Sequence, residues 1–191
     1  MGPILTGFGL ASAAGLNAYI PLLLLGVAGR LGYADLSAPY TIRGSNAGLA
    51  VLAVLLTVEL LADKVPGVDH VNDIVNTVVR PAAGGLLFVS SAGAGQLDPT
   101  LAAILGLMTA GSVHVTKAGF RPLVTATTGG LGNPVVSVIE DLLALVGTLL
   151  AIFAPLLVAL FLIALIVGAI VFWRRLCARR ARRRVSATAL P

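Results

Sequence analysis

ELLADKVPGVDHVNDIVNTVVR, residues 59–80, carries four carboxylates (Glu59, Asp63, Asp69, Asp73) and two cations (Lys64, Arg80) between long apolar runs. A charge at the bilayer centre costs about 2.5–3.5 kcal/mol even on a lenient insertion scale. So many charges this close together must face protein, water or each other. From Asp69 the polar residues Asn72, Asp73, Asn76, Thr77 and Arg80 fall at offsets of 3, 4, 7, 8 and 11. That spacing traces one face of a helix, and Val71, Ile74, Val75, Val78 and Val79 take the other. A basic polar face would suit a helix lying on the membrane surface. This one is acidic and amide-bearing, and anionic headgroups repel it, so the stripe is expected to face the interior of a bundle.

The rest of the chain supports a membrane setting. Of its 191 residues 58% are hydrophobic and 11% charged, against about 25% charged in soluble domains, and the mean hydropathy is +1.00. A spanning helix takes about 20 apolar residues, which leaves room for five or six spans. The expected fold class is an all-α integral membrane protein of about six transmembrane helices. Residues 1–173 form the helical domain and 174–191 a basic tail.

Working outward, a second span covers Asn46 to Asp63, with Glu59 and Asp63 one turn apart, and a third runs from Val68 to Ser91 with a kink expected at Pro81. The first apolar segment, Pro3 to Ala28, is interrupted by Asn17 and Pro21, and the fourth, Thr100 to Thr128, by Pro122. These three residues are the expected helix breaks, because proline removes a backbone hydrogen bond and clashes with the preceding turn. The fifth span starts at Asn133-Pro134, and the sixth covers 156–173. An unbroken helix from Pro134 to Trp173 would be about 60 Å long, twice the hydrocarbon thickness, so the chain is expected to break at Pro155. Without a basic leading region, the N-terminal run reads as a retained span rather than a cleaved signal.

Residues 1–95 and 99–173 echo each other. Asn17-Ala-Tyr-Ile-Pro21 matches Ala118-Gly-Phe-Arg-Pro122, and each is followed by a span with an acidic pair, Glu59/Asp63 and Glu140/Asp141. Three spans per unit would make these inverted repeats, the arrangement that places transporter sites near the midplane. Seven of the thirteen basic residues lie in the tail, from Arg174 to Arg184. They place the C-terminus in the cytoplasm and offer contact with anionic lipid headgroups. Nucleic acid is not expected as a partner, since no aromatic platform accompanies the arginines. The single cysteine, Cys177, reads as a cytoplasmic thiol.

The candidate cation or proton sites are Glu59, Asp63, Asp73, Asn76 and Glu140, with Arg80, Lys117 and Arg121 as charge partners. Acids outnumber bases outside the tail, so two carboxylates are expected to lack a cationic partner. A buried carboxylate of that kind takes up a proton or binds a cation, and oxygen ligands favour hard metals over zinc. Which metal, if any, stays open. His114 alone reads as a packing residue, and Asn17 as either a cap or a solute contact. No hydrolase, zinc-peptidase or phosphate-loop motif is present, so no enzymatic activity and no cofactor are expected.

GLNAYIPLL, ELLADKVPGVDHVND and the stretch from Gly132-Asn133-Pro134 to Leu145 resemble a bacterial membrane-protein family described as domain of unknown function 4126. The resemblance runs to the arginine tail and implies a multi-span protein of the cell inner membrane. Glu59-Leu-Leu-Ala-Asp63-Lys64 is also faintly similar to the signature of small cation/proton exchangers built from two three-helix repeats. Here the Glu-to-Asp spacing is one residue longer, the glycine is absent and Val65 replaces a hydroxyl residue. The leading expectation is a small transporter or channel for an ion or small solute, with a homo-oligomer as one open form of assembly. The alternative is a non-transporting membrane scaffold whose buried charges are structural.

Overall fold

In the computed structural model the described residues are 2–33, 45–65, 68–91 and 97–155, with Leu157, Leu160, Ile163 and Val167 beyond them; at Asp69 and His70 only the backbone is described. The chain divides into two units, Met1–Val158 and Ala159–Pro191. Of the second, Leu160, Ile163 and Val167 are described and are helical. The expected sixth span, apart from its four described positions, and the arginine tail lie outside the described residues.

Among the described residues the first unit has six helices: α1 (Gly2–Leu16), α2 (Tyr19–Arg30), α3 (Asn46–Ala62), α4 (Val68–Ser91), α5 (Pro99–Thr128) and α6 (Asn133–Phe153). Val71–Ser91, Pro99–Thr128 and Asn133–Phe153 are long and apolar enough to cross a membrane, while α1, α2 and α3 are shorter apolar helices. The all-α class and the starts and ends of α3 to α6 agree with the reading of the sequence.

Local signals set most of these boundaries. The Ser45 hydroxyl accepts from the Gly48 amide at the start of α3. The Asp98 carboxylate accepts from Thr100 and Leu101 at the start of α5, with Pro99 in the first turn, where its missing N–H leaves no gap. Gly129 ends α5 with φ +63°, a left-handed conformation that favours glycine. At Ala154 the backbone leaves the helical region (φ −146°, ψ 61°), so α6 stops just ahead of Pro155 as expected.

The prolines elsewhere need correction. The first apolar segment is two helices, and the break falls at Asn17-Ala18; Pro21 stands in the first turn of α2 and does not cause it. An amide at that position has no intrahelical partner to lose. Pro122 does not break α5, whereas Pro81 stands inside α4 at the position where the kink is expected. Each proline removes a single hydrogen bond. At Pro122 the turn is held from outside the helix, because the neighbouring Arg121 is clamped by carboxylates of other elements.

The bundle is polar and small-residue inside, apolar outside. α5 buries Ala102, Gly106, Ala110, His114, Lys117 and Arg121, and α6 buries Ser137, Glu140, Ala144, Thr148 and Ala151. Steps of three and four put each set on one helix face. Leu10, Ile20, Leu22, Leu25 and Leu87 are buried, but many large apolar side chains, among them Val54, Leu61, Ile74, Val78, Met108 and Leu142, are exposed. A soluble protein would not display so much contiguous apolar surface; lipid tails accept it.

α1 lies against α4, α5 and α6. Small residues allow the close approach expected of helices packed within lipid. A Cβ on Gly84 would fall 2.7 Å from the Gly106 carbonyl oxygen, and one on Gly15 would fall 2.6 Å from that of Ala110. An apolar cluster of Ala11, Phe88 and Ala102, with Phe8 edge-on to Phe88 at 4.9 Å, occupies one zone of the interior. The charges occupy another.

Candidate functional site

Four helices and the α1–α2 break deliver the charged residues to one place. α3 ends with Glu59 and Asp63, one helical turn apart. α4 presents Asn72, Asp73, Asn76, Thr77 and Arg80. α5 contributes His114, Lys117 and Arg121 from one face, and α6 contributes Ser137, Glu140 and Asp141. Arg80 is 0% exposed, and Glu59 and Asp63 are each 2% exposed.

Asp63 is the hub. Its Oδ2 lies 3.2 Å from Arg121 Nη2, 3.6 Å from Lys117 Nζ and 3.8 Å from Arg80 Nη2, and the Asn72 amide donates to its Oδ1 at 2.7 Å. Arg121 also reaches Asp73 Oδ2 at 2.8 Å and Glu140 Oε2 at 3.4 Å. Lys117 Nζ meets Glu140 Oε2 at 2.9 Å. Arg80 Nη2 and Asn76 Nδ2 both donate to Glu59 Oε1, at 2.9 and 3.1 Å. At the edge, Lys64 pairs with Asp141 at 3.4 Å.

His114 belongs to this network. Arg80 Nη1 lies 3.4 Å from its Nδ1, and Thr77 Oγ1 lies 3.2 Å from its Nε2. A guanidinium can only donate, so Nδ1 accepts and the ring is neutral, with its proton on Nε2 directed at Thr77. Arg80 therefore links Glu59 to His114.

The α1–α2 break joins the same cluster through backbone and side chain. Asn17 Oδ1 accepts from the Tyr19 and Ile20 amides, which caps α2, while Asn17 Nδ2 donates to Asp141. Leu16, the last residue of α1, offers its carbonyl to Lys117 Nζ at 3.1 Å.

A family model described as "Domain of unknown function (DUF4126)" matches residues 4–175. The chain belongs to the DUF4126 family. The DUF4126 match spans every residue of the charge cluster, as the resemblance read from the sequence implies. Neither the curated proteins nor the solved structures gave a match.

The structure brings together Glu59, Asp63, Asp73, Asn76 and Glu140 with Arg80, Lys117 and Arg121. Of the expected breaks, only Asn17 touches the cluster. The expectation of two carboxylates without a cation is corrected: each described carboxylate in the cluster contacts a base, because Arg121 and Lys117 each serve more than one acid. Among the described residues an imbalance persists at the centre, where Glu59, Asp63, Asp73 and Glu140 face Arg80, Lys117 and Arg121. Glu59 Oε2, Asp73 Oδ1 and Arg80 Nε are buried without a hydrogen-bond partner among the described residues. No group of three or more His, Cys, Asp or Glu among the described residues could hold a metal ion.

Two clefts reach the central residues of the cluster, besides an apolar one at the Lys64–Asp141 edge. One, of about 500 Å³, is lined by Asp73, Thr77, Arg121, Thr125 and Asn133 among others. The other, of about 380 Å³, includes Leu16, Ser112, Thr116, Lys117 and Glu140.

Reading the sequence took His114 for a packing residue and missed Ser137 and the Leu16 carbonyl; Asn72 it placed on the inward stripe without a site role. His114 and Ser137 carried a signal: each sits one helical step from a charged residue, on a stripe of small side chains (Ala110–His114–Lys117 and Ser137–Glu140–Ala144). The carbonyl carried none, since every residue has one.

Proposed function

We propose that the protein is a small helical membrane transporter or channel for an ion or small solute, with its intramembrane carboxylates as the cation or proton sites. The observation that carries this reading is the excess carboxylate at the centre of the cluster, with buried Glu59 and Asp73 oxygens left unpartnered. A purely structural lock is expected to pair its groups fully, since each unsatisfied buried polar atom is destabilising by about 1–3 kcal/mol. The two clefts, meeting the cluster through Asp73–Arg121 and through Lys117–Glu140, support a polar route past it. Asp63 and Glu140, from the acidic pairs of the two sequence halves, share Lys117 and Arg121.

Under the same proposal the protein lies in a bacterial inner membrane with its C-terminus in the cytoplasm, the tail arginines against anionic lipid. It has no enzymatic activity and no nucleic-acid partner, and copies of it assemble as a homo-oligomer.

The scaffold reading draws support from one observation: every described carboxylate in the cluster has a cationic contact. Flux separates the two. Purified protein in liposomes loaded with a pH-sensitive dye is exposed to inward gradients of Na+, K+ and methylammonium. The expected result is dye response in the wild type, reduced to that of protein-free liposomes in Glu59→Gln and Asp73→Asn with the fold retained. Undiminished response in both variants removes these carboxylates from the mechanism.

A further inference from the structure

The apolar segment expected to be the first span is the pair α1 and α2, and neither helix is long enough to cross a bilayer. Their 15 and 12 residues rise about 22 and 18 Å, and a hydrocarbon core is about 30 Å thick. Stacked end to end they would reach across it. Their contacts give them opposite directions instead. Asn17, at the break, donates to Asp141 in the first half of α6. From that level α1 lies antiparallel to α6, for a Cβ on Gly147 would fall 3.9 Å from Ala13. α2 lies parallel to it: Ile20 and Leu24 share an apolar cleft with Val138, Leu142 and Leu145, and the Tyr33 ring meets that of Phe153 edge-on at 5.8 Å.

The other helices agree. Gly7 on α1 packs against Phe88 and Ser91 at the end of α4, and Arg30, the last residue of α2, donates to Asn46, the first of α3. α4 leads away from the cluster from Arg80 to Ser91, and α6 from Asp141 to Phe153. α5 runs antiparallel to both. Arg121 meets Asp73 and Gly106 meets Gly84 on α4, while Arg121 meets Glu140 and Thr125 meets Asn133 on α6. Ser91 and Phe153 thus lie at the same end of the bundle, and so do the start of α1 and the end of α2.

We propose that α1 and α2 form a re-entrant hairpin, which enters the bilayer from one face, turns at Asn17-Ala18 against the charge cluster and returns to the face it came from. A chain that turns at membrane depth must be enclosed by protein, with its freed backbone groups satisfied there. Both conditions are met. Asn17 and Ala18 are buried. The Asn17 side chain accepts from the Tyr19 and Ile20 amides, and the Leu16 carbonyl accepts from Lys117. Small residues make room, since α1 buries Gly7, Gly9, Ala11, Ala13, Ala14 and Gly15 and so lies close against α4, α5 and α6. Lys117 and Asp141 hold the tip in place, a task these charges perform with or without flux. The hairpin requires only the membrane setting and goes beyond the transporter reading.

The test is the sidedness of three single cysteines placed in a Cys177→Ser background. Gly2→Cys adds a Cβ that meets no atom within 4 Å, and Leu31→Cys and Leu131→Cys replace exposed side chains. Leu131 follows α5, at the opposite end of the bundle from Ser91 and Phe153. The full chain in sealed vesicles of known orientation is treated with a membrane-impermeant maleimide before and after permeabilisation. Gly2→Cys and Leu31→Cys should react from one face and Leu131→Cys from the other. A single bent span would put Gly2 and Leu31 on opposite faces, and that result overturns the proposal. Reaction of all three from one face overturns it as well, because α5 and α6 would then fail to cross. Shared labelling of Gly2→Cys and Leu31→Cys with a spin label on Val78→Cys at headgroup depth would make the pair a surface hairpin, which also overturns it.

Discussion

Arg80→Met should destabilise the protein by about 3–5 kcal/mol, the range for removing one partner of a buried ion pair, whereas Glu59→Gln should change stability by less than about 1 kcal/mol. The two residues are bonded to each other, so a simple loss-of-contact argument makes both substitutions harmful. Charge balance separates them. With four central carboxylates facing three cations, removing Arg80 widens the excess, leaves Glu59 with only the Asn76 amide, and takes from His114 its donor. Neutralising Glu59 instead balances the centre, and the glutamine carbonyl can still accept from Arg80 and Asn76. Glu59→Leu combined with Arg80→Met should recover most of the loss, because both buried charges are then gone. Unfolding followed by circular dichroism in detergent measures all three variants. Equal destabilisation by the two single substitutions would contradict this account of the cluster.

Asp63→Asn is expected to cut flux by about 100-fold, equivalent to a barrier raised by about 3 kcal/mol, while lowering stability by only about 1–3 kcal/mol. Asp63 is the carboxylate shared by Arg80, Lys117 and Arg121. Asparagine keeps the size, and its carbonyl can still accept from Asn72. The charge that gathers three cations is gone, so Lys117 is left to Glu140 and the Leu16 carbonyl. The cluster then survives as a folded unit but loses its centre. Proteoliposome flux and thermal unfolding on one preparation give both numbers, and wild-type flux in Asp63→Asn would mean that the hub is structural.

The helices were legible from the sequence where local chemistry fixes them. Ser45, Asp98 and Gly129 mark ends by capping and backbone preference, and the α4 stripe from Asn72 to Arg80 declares which face turns inward. Prolines misled, because their effect depends on surroundings that the sequence does not print. Pro21 falls where no amide is needed, and Pro122 sits beside an arginine held by three carboxylates. The participants in the cluster were legible as charges stranded in apolar sequence, which lipid penalises wherever they go. Their pairing was not. Whether Arg121 meets Asp73, 48 residues away, or Asp63, 58 away, depends on how α3, α4 and α5 pack, and that is set by close contacts such as Gly84 against Gly106. The Leu16 carbonyl became a ligand only because a helix ended there.

A transport role requires the cluster to lie within the hydrocarbon slab, shielded from lipid by the apolar outer faces. Val78, 73% exposed and two residues from Arg80, reports the depth of that level. A spin label on Val78→Cys, in a Cys177→Ser background reconstituted in bilayers, should be relaxed by oxygen far more than by a water-soluble nickel chelate. It should lie more than about 10 Å inside the headgroup boundary of a hydrocarbon core about 30 Å thick. A label at headgroup depth, relaxed chiefly by the chelate, would put α4 on the membrane surface and contradict an interior charge cluster.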